Sequence, residues 1–322
     1  MKIYITFILI PFFTLSQIDT IYFTSANPFS FKDVIIDLKS QEEQEVYGIL
    51  HLPNELLNIE ATDNIEKKVP LIIALAGSEG WAKHHYEYLN MYRELGIATF
   101  EICSFKSRGI LSTVGTQIDV TTAMMVLDSY RAFETLSTHP NINSKKIGIT
   151  GWSLGGGVTF FSAWSPLKNA INSDINFAAH LALYPPCIVT PENLNFSDSP
   201  MHILIGELDN WTPAKACIDL LELINKENIN LTVYPEAHHS FDRNTEPIIK
   251  ENGYILEDCR FKMKENGTVV MNFLNIPMSS PFLQKIGLSG CAKRVPTYGG
   301  NQYIKIKAMN FAKEFMRKHL LN

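Results

Sequence analysis

Residues 146–164 constrain the chain most. A short apolar run, Lys146-Ile147-Gly148-Ile149-Thr150, passes without a linker into Gly151-Trp152-Ser153-Leu154-Gly155. Apolar residues at helical spacing follow, among them Phe160, Phe161, Ala163 and Trp164. The pattern predicts a strand, a tight turn and a helix in immediate succession. Glycine flanks the serine because so tight a turn brings backbone against backbone and leaves no room for side chains. A strand that turns directly into a helix is half of a βαβ unit, so a mostly parallel sheet with helices on both faces is expected.

The rest of the chain repeats the alternation. Pro70 to Ala76 is continuously apolar and ends at Gly77, as a parallel strand buried on both faces would. Ile97 to Cys103, Phe177 to Tyr184, Met201 to Gly206 and Leu231 to Tyr234 read as further strands. Helices are expected over Lys83 to Leu95, Ile118 to Leu136, Thr212 to about Asn225 and Asn301 to Leu320, with Thr212 as N-cap and Pro213 in the first turn of the third. Near the start, Val34 to Leu38 and Val46 to Leu52 read as an antiparallel hairpin at a sheet edge, and Pro53 to Lys68 as a loop. Residues from about 243 to 300 break the rhythm. They hold turn signals and two cysteines but no βα unit, and so long an excursion has structure of its own or a function.

With 46% hydrophobic and 19% charged residues among 322, the chain has material for one large core. A net charge of −5 with scattered basic residues argues against nucleic acid as a partner. Met1-Lys2 and the apolar run Ile3 to Leu15 are too short for a membrane span and fit a signal peptide over residues 1–16, with Thr14 and Ser16 as the small residues before the cut. The expected product is one domain over 17–322, periplasmic or secreted, with no stable membrane span. No Cys-x-x-Cys pair or Cys/His cluster with metal spacing occurs, so neither metal nor cofactor is expected.

A serine hydroxyl needs a base to take its proton and a third group to orient that base. In sheets of this kind the order is serine, acid, histidine. Glu207-Leu208-Asp209 follows the strand ending at Gly206, and Asp209 is the candidate acid. His238-His239 follows the strand ending at Tyr234, and spacing alone leaves both histidines open. An oxyanion hole would use the N–H of Leu154, after the nucleophile, and that of Ser78, in the loop after the strand ending at Ala76.

Together these segments resemble the dienelactone hydrolase family of the α/β-hydrolase fold. Residues 104–109 (SFKSRG), 151–156 (GWSLGG), 206–213 (GELDNWTP) and 234–242 (YPEAHHSFD) carry the resemblance, which runs from about Leu71 to the last helix. It implies hydrolysis of a small-molecule ester or related acyl bond. It selects His239, which precedes a small residue and Phe241. It also places Arg108 near the site, and Arg108 and Trp152 are the candidate substrate-binding residues. Three features depart from the pattern. Dienelactone hydrolase itself has a cysteine nucleophile where Ser153 stands, Ala76-Gly77 replaces the frequent His-Gly, and Cys103 replaces a frequent Asp. Rival readings are a peptidase or acyltransferase using the same triad, and a non-catalytic binding protein on a hydrolase scaffold.

Of the five cysteines, Cys259 and Cys291 both lie in the irregular stretch and are expected to form a disulfide, which an exported chain can keep. Cys103, Cys187 and Cys217 sit in apolar surroundings and read as buried or half-buried thiols.

Overall fold

The computed structural model describes residues 18–53 and 68–322. The signal-peptide reading of 1–16 and most of the loop at 53–68 therefore lie outside the described residues. Eight strands form the main sheet: β1 (Ile18–Ala26), β2 (Glu43–His51), β3 (Val69–Leu75), β4 (Ala98–Ile102), β5 (Ile142–Trp152), β6 (His180–Leu183), β8 (Met201–Gly206) and β9 (Ile229–Tyr234), in spatial order β1-β2-β4-β3-β5-β6-β8-β9. A short β7 (Val189–Pro191) lies outside it. The β1/β2 and β2/β4 pairs are antiparallel, and every pair from β4 to β9 is parallel. Strands β3 and β8, and β5 from Ile147 onward, are almost wholly buried, as their continuous apolar runs require. This is the α/β-hydrolase fold.

The helices fall into two packed groups. Helices Thr122–Ser137 and Leu154–Phe161 touch each other, and Lys83–Glu94 touches Gln302–Met316. The first group packs on β1, β3, β5 and β6, and the second on β4 and, through the C-terminal turn after it, on β3 and β5. From β3 the chain moves outward to β4 and then crosses back to β5 on the other side. The carboxyl ends of β3 and β5 thus flank a reversal of strand order, where such sheets open a crevice.

Two elements near the start differ from expectation. Phe31–Asp37 is a helix, and Ile18–Ala26 takes the edge position expected of Val34 to Leu38. The helix is started by a local device, since Asp33 Oδ2 accepts from Ser30 N at 2.8 Å and Ser30 Oγ at 2.9 Å. Thr212 is not an N-cap: its helix runs Ala214–Ile224 after Pro213, and the Thr212 hydroxyl points elsewhere.

The excursion after Asp242 folds back on itself. Ile248–Ile249 pairs with Thr297–Tyr298, and Tyr254–Ile255 with Lys293–Arg294. Phe261–Met263 extends β7, and helix Pro281–Ser289 completes the unit. Disulfides join Cys259 to Cys291, as expected, and Cys187 to Cys217, correcting the reading of that second pair as thiols. Cys103 is a buried free thiol. No helix among the described residues is long and apolar enough to cross a membrane.

Candidate active site

Ser153 sits between the end of β5 and the start of its helix with φ 54° and ψ −113°, a conformation that L-residues rarely hold. The flanking glycines make it possible. A Cβ on Gly151 would lie 2.2 Å from Gly155 O, and one on Gly155 would lie 2.3 Å from Leu75 O. The turn is fastened by Ser153 N donating to Leu183 O at 2.9 Å and Gly157 N to Ser153 O at 2.9 Å.

Three of the residues selected from the sequence come together here. His239 Nε2 lies 3.0 Å from Ser153 Oγ, and His239 Nδ1 lies 2.7 Å from Asp209 Oδ2. Asp209 and His239 are both buried. The other carboxylate oxygen, Oδ1, accepts from the N–H groups of Trp211 at 3.0 Å and Thr212 at 2.7 Å. Rings of Tyr184 and Trp211 flank the imidazole at centroid distances of 4.9 and 5.0 Å and hold its plane. Glu207, on the same turn as Asp209, is exposed and accepts from Glu236 N instead. His238 lies outside the chain of contacts.

Ser78 occupies a turn closed by Gly80 N donating to Gly77 O at 2.9 Å, and Leu154 is the first residue of its helix, where N–H groups lack intrahelical acceptors. Both residues line the same cavity as Ser153.

Of the two candidate substrate-binding residues, Trp152 borders a small cavity beside Ser153 and His239, whereas Arg108 borders neither cavity that reaches Ser153. The Trp152 side chain is fully buried, stacked on His85 at 4.5 Å and edge-on to Tyr88 at 5.6 Å, so it supports the turn from below. Arg108 pairs with Asp128 through two nitrogens at 2.8 and 3.0 Å and donates to Asn27 Oδ1, Ser104 O and Ala26 O. A guanidinium has five N–H donors, and these five contacts leave none for a substrate. Arg108 is a clamp between β1 and the helix carrying Asp128.

Several neighbours escaped the sequence reading. The Thr212 hydroxyl lies 2.9 Å from Asp209 Oδ2 and 3.0 Å from His239 Nδ1. A Thr-Pro pair just after the acid was the available signal, but it reads equally well as a helix start. Behind His239, Tyr184 Oη donates to Asp242 Oδ1 at 2.9 Å. Burial pushes the Asp242 carboxyl up to about 6 and holds His84, 3.8 Å away, well below the ordinary imidazole range, so their contact is not an ion pair at neutral pH. Next to Ser78, Glu79 bridges Arg243 at 2.6 Å and Lys250, tying the Ser78 turn to the excursion. Burial opposes ionisation of Glu79, but the Lys250 hydrogen bond and both cations outweigh it and hold its carboxyl below the usual range.

Two cavities meet at Ser153. The larger, about 210 Å³, runs between helix Leu154–Phe161 and the excursion. The smaller, about 20 Å³, lies beside His239.

The dienelactone hydrolase family matches residues 104–265, which hold Ser153, Asp209 and His239. Among solved structures, an esterase of Pyrococcus furiosus is 16% identical over 73% of this chain and 89% of its own, with a TM-score of 0.47. Est1E of Butyrivibrio proteoclasticus is 15% identical over 61% and 86%, with a TM-score of 0.44. Est2 of Thermogutta terrifontis is 16% identical over 67% and 84%, with a TM-score of 0.46. No curated protein matches the chain.

Proposed function

Given that the chain belongs to the dienelactone hydrolase family, we propose that it hydrolyses carboxylic esters of small molecules through Ser153, with His239 as base and Asp209 as its orienting acid. The observation that carries the proposal is the unbroken line of contacts from Ser153 Oγ through His239 to buried Asp209, at 3.0 and 2.7 Å.

The chemistry follows from those contacts. Nδ1–H of His239 donates to Asp209, which leaves the Nε2 lone pair facing Ser153 Oγ. Nε2 takes the hydroxyl proton as Oγ attacks the ester carbon. The N–H groups of Ser78 and Leu154 receive the negative oxygen of the tetrahedral species, each contributing roughly 3–4 kcal/mol. The species collapses to an acyl-serine as His239 returns the proton to the departing alcohol. Water then repeats the sequence and frees the acid. Asp209 orients the imidazole throughout, and its two backbone N–H contacts hold it in register.

The same reading makes the chain an exported protein. Two disulfides are what an oxidising compartment permits, and this supports a signal peptide over residues 1–16.

The test is turnover of simple esters by the purified protein beside Ser153→Ala. The reading expects hydrolysis by the parent and a loss on the order of 10⁴–10⁶ in kcat for the variant. Near-normal turnover by a folded Ser153→Ala protein would remove Ser153 from the mechanism.

A further inference from the structure

Resting on the ester-hydrolase reading, we infer that the substrate is an ester of an uncharged, apolar acid with a small polar alcohol, the acid in the large cavity and the alcohol in the small one.

The two cavities differ in chemistry. The large one is walled by Phe31, Phe161, Ile188, Phe261, Met278 and Leu288, with hydroxyls and amides between them, and no described residue lining it is charged. The small one is lined by Glu79, Arg243, Ser240 and His239. Ser153, Ser78 and Trp211 belong to both, so a group covalently held on Ser153 can extend into either.

The reaction decides which half goes where. In acylation the bond from Ser153 Oγ to the acyl carbon forms and the bond to the alcohol oxygen breaks. That oxygen leaves with the proton held on His239 Nε2, so the alcohol must sit on the histidine side. His239 lines the small cavity and not the large one. The acyl group, which stays on Ser153, is left the apolar space. A carboxylate there would lose its water and find no cation. Each methylene it buries improves binding, which amounts to about fourfold in specificity until the cavity is filled.

The excursion supplies much of this space. Phe261, Met278 and Leu288 come from it, and Ile188 adjoins Cys187 of one disulfide. Its irregular path is thereby explained, because it forms the roof over the acyl site.

The experiment is a pH-stat measurement of kcat/KM with the full purified protein on methyl esters from acetate to octanoate, on monomethyl succinate against methyl pentanoate, and on acetate esters of methanol, glycerol and hexanol. Specificity is expected to rise at least tenfold from acetate to octanoate. Monomethyl succinate should be at least tenfold poorer than its neutral counterpart, and lengthening the alcohol should bring no gain. Val189→Trp, on the cavity wall, should lower the octanoate-to-acetate ratio at least tenfold. Should that variant not fold, Met278→Ala, which enlarges the cavity, should move the optimum to longer acids. A gain that follows the alcohol chain, or equal use of succinate and pentanoate, overturns the inference while Ser153-dependent acetate hydrolysis upholds the esterase reading. If no ester is cleaved, both fall.

Discussion

His239, the proposed base, is held by more than Asp209. The Thr212 hydroxyl also lies 3.0 Å from Tyr184 O, so its one hydrogen serves either that carbonyl or Asp209 Oδ2. Donating to Asp209 it steadies the carboxylate, donating to Tyr184 O it turns a lone pair toward His239 Nδ1, and in both arrangements it fills the space beside Nδ1. Thr212→Val removes it without changing the volume, and should cost about 1–1.5 kcal/mol in the transition state, close to a tenfold fall in kcat. Thr212→Ser should restore most of that rate, and failure of the serine to do so would make the methyl group the important part. His239→Ala should be as damaging as Ser153→Ala, and His238→Ala much milder; a dead His238→Ala protein would shift the histidine register by one. Arg108 belongs to stability. Arg108→Ala would strand buried Asp128 without its cation, and should lower unfolding free energy by roughly 3–5 kcal/mol in urea titration. A loss below 1 kcal/mol would contradict the clamp.

Among the elements, those with a strong period were legible. The runs ending at Ala76, Thr150 and Gly206 became β3, β5 and β8 because a strand buried on both faces has only one way to be apolar throughout, and the shorter run ending at Tyr234 became β9 at the sheet's edge. Ser153, Asp209 and His239 were legible for the same reason, since each follows one of these strands. A five-residue apolar run such as Val34 to Leu38 has no distinguishing period. The capping contact of Ser30 with Asp33 decided it for helix, and the edge strand fell to Ile18–Ala26. Arg108 was misread because its partners, Ala26, Asn27 and Asp128, are far from it in sequence. Cysteine pairing is of that kind too. Cys259 and Cys291 shared an isolated stretch, whereas Cys187 and Cys217 sit in different elements that only folding brings together. Peptide mapping without reductant should find both bridges and a free Cys103. Replacing either pair with serine should cost roughly 3–4 kcal/mol for loops of 30 and 32 residues.

For the molecule as a whole, buried titratable groups set the response to acid. Burial lowers His85 and His180 to about 3 and holds His84 well below 6.5. Each stays neutral in the fold but takes a proton when unfolded, so stability falls as pH drops below 6.5 toward 3. Asp242, raised to about 6, acts in the opposite sense, its contribution being full below about 3.8 and lost as pH rises through 6. His202, lowered by burial to about 4, acts with these three histidines, so four groups outweigh one and the urea midpoint should fall on going from pH 7 to pH 4. Asp242→Asn should steepen that fall and raise the midpoint at pH 7, whereas a midpoint unchanged or rising toward pH 4 would contradict this balance.

The strained turn, the sheet reversal and the buried acid all converge on one oxygen atom, Ser153 Oγ. Treating the folded protein with a fluorophosphonate and mapping the adduct by peptide mass spectrometry tests its reactivity most directly. One phosphonyl group on Ser153, formed rapidly and lost in His239→Ala, is the predicted result. No adduct, or an adduct on any other residue while Ser153 stays free, would contradict the account.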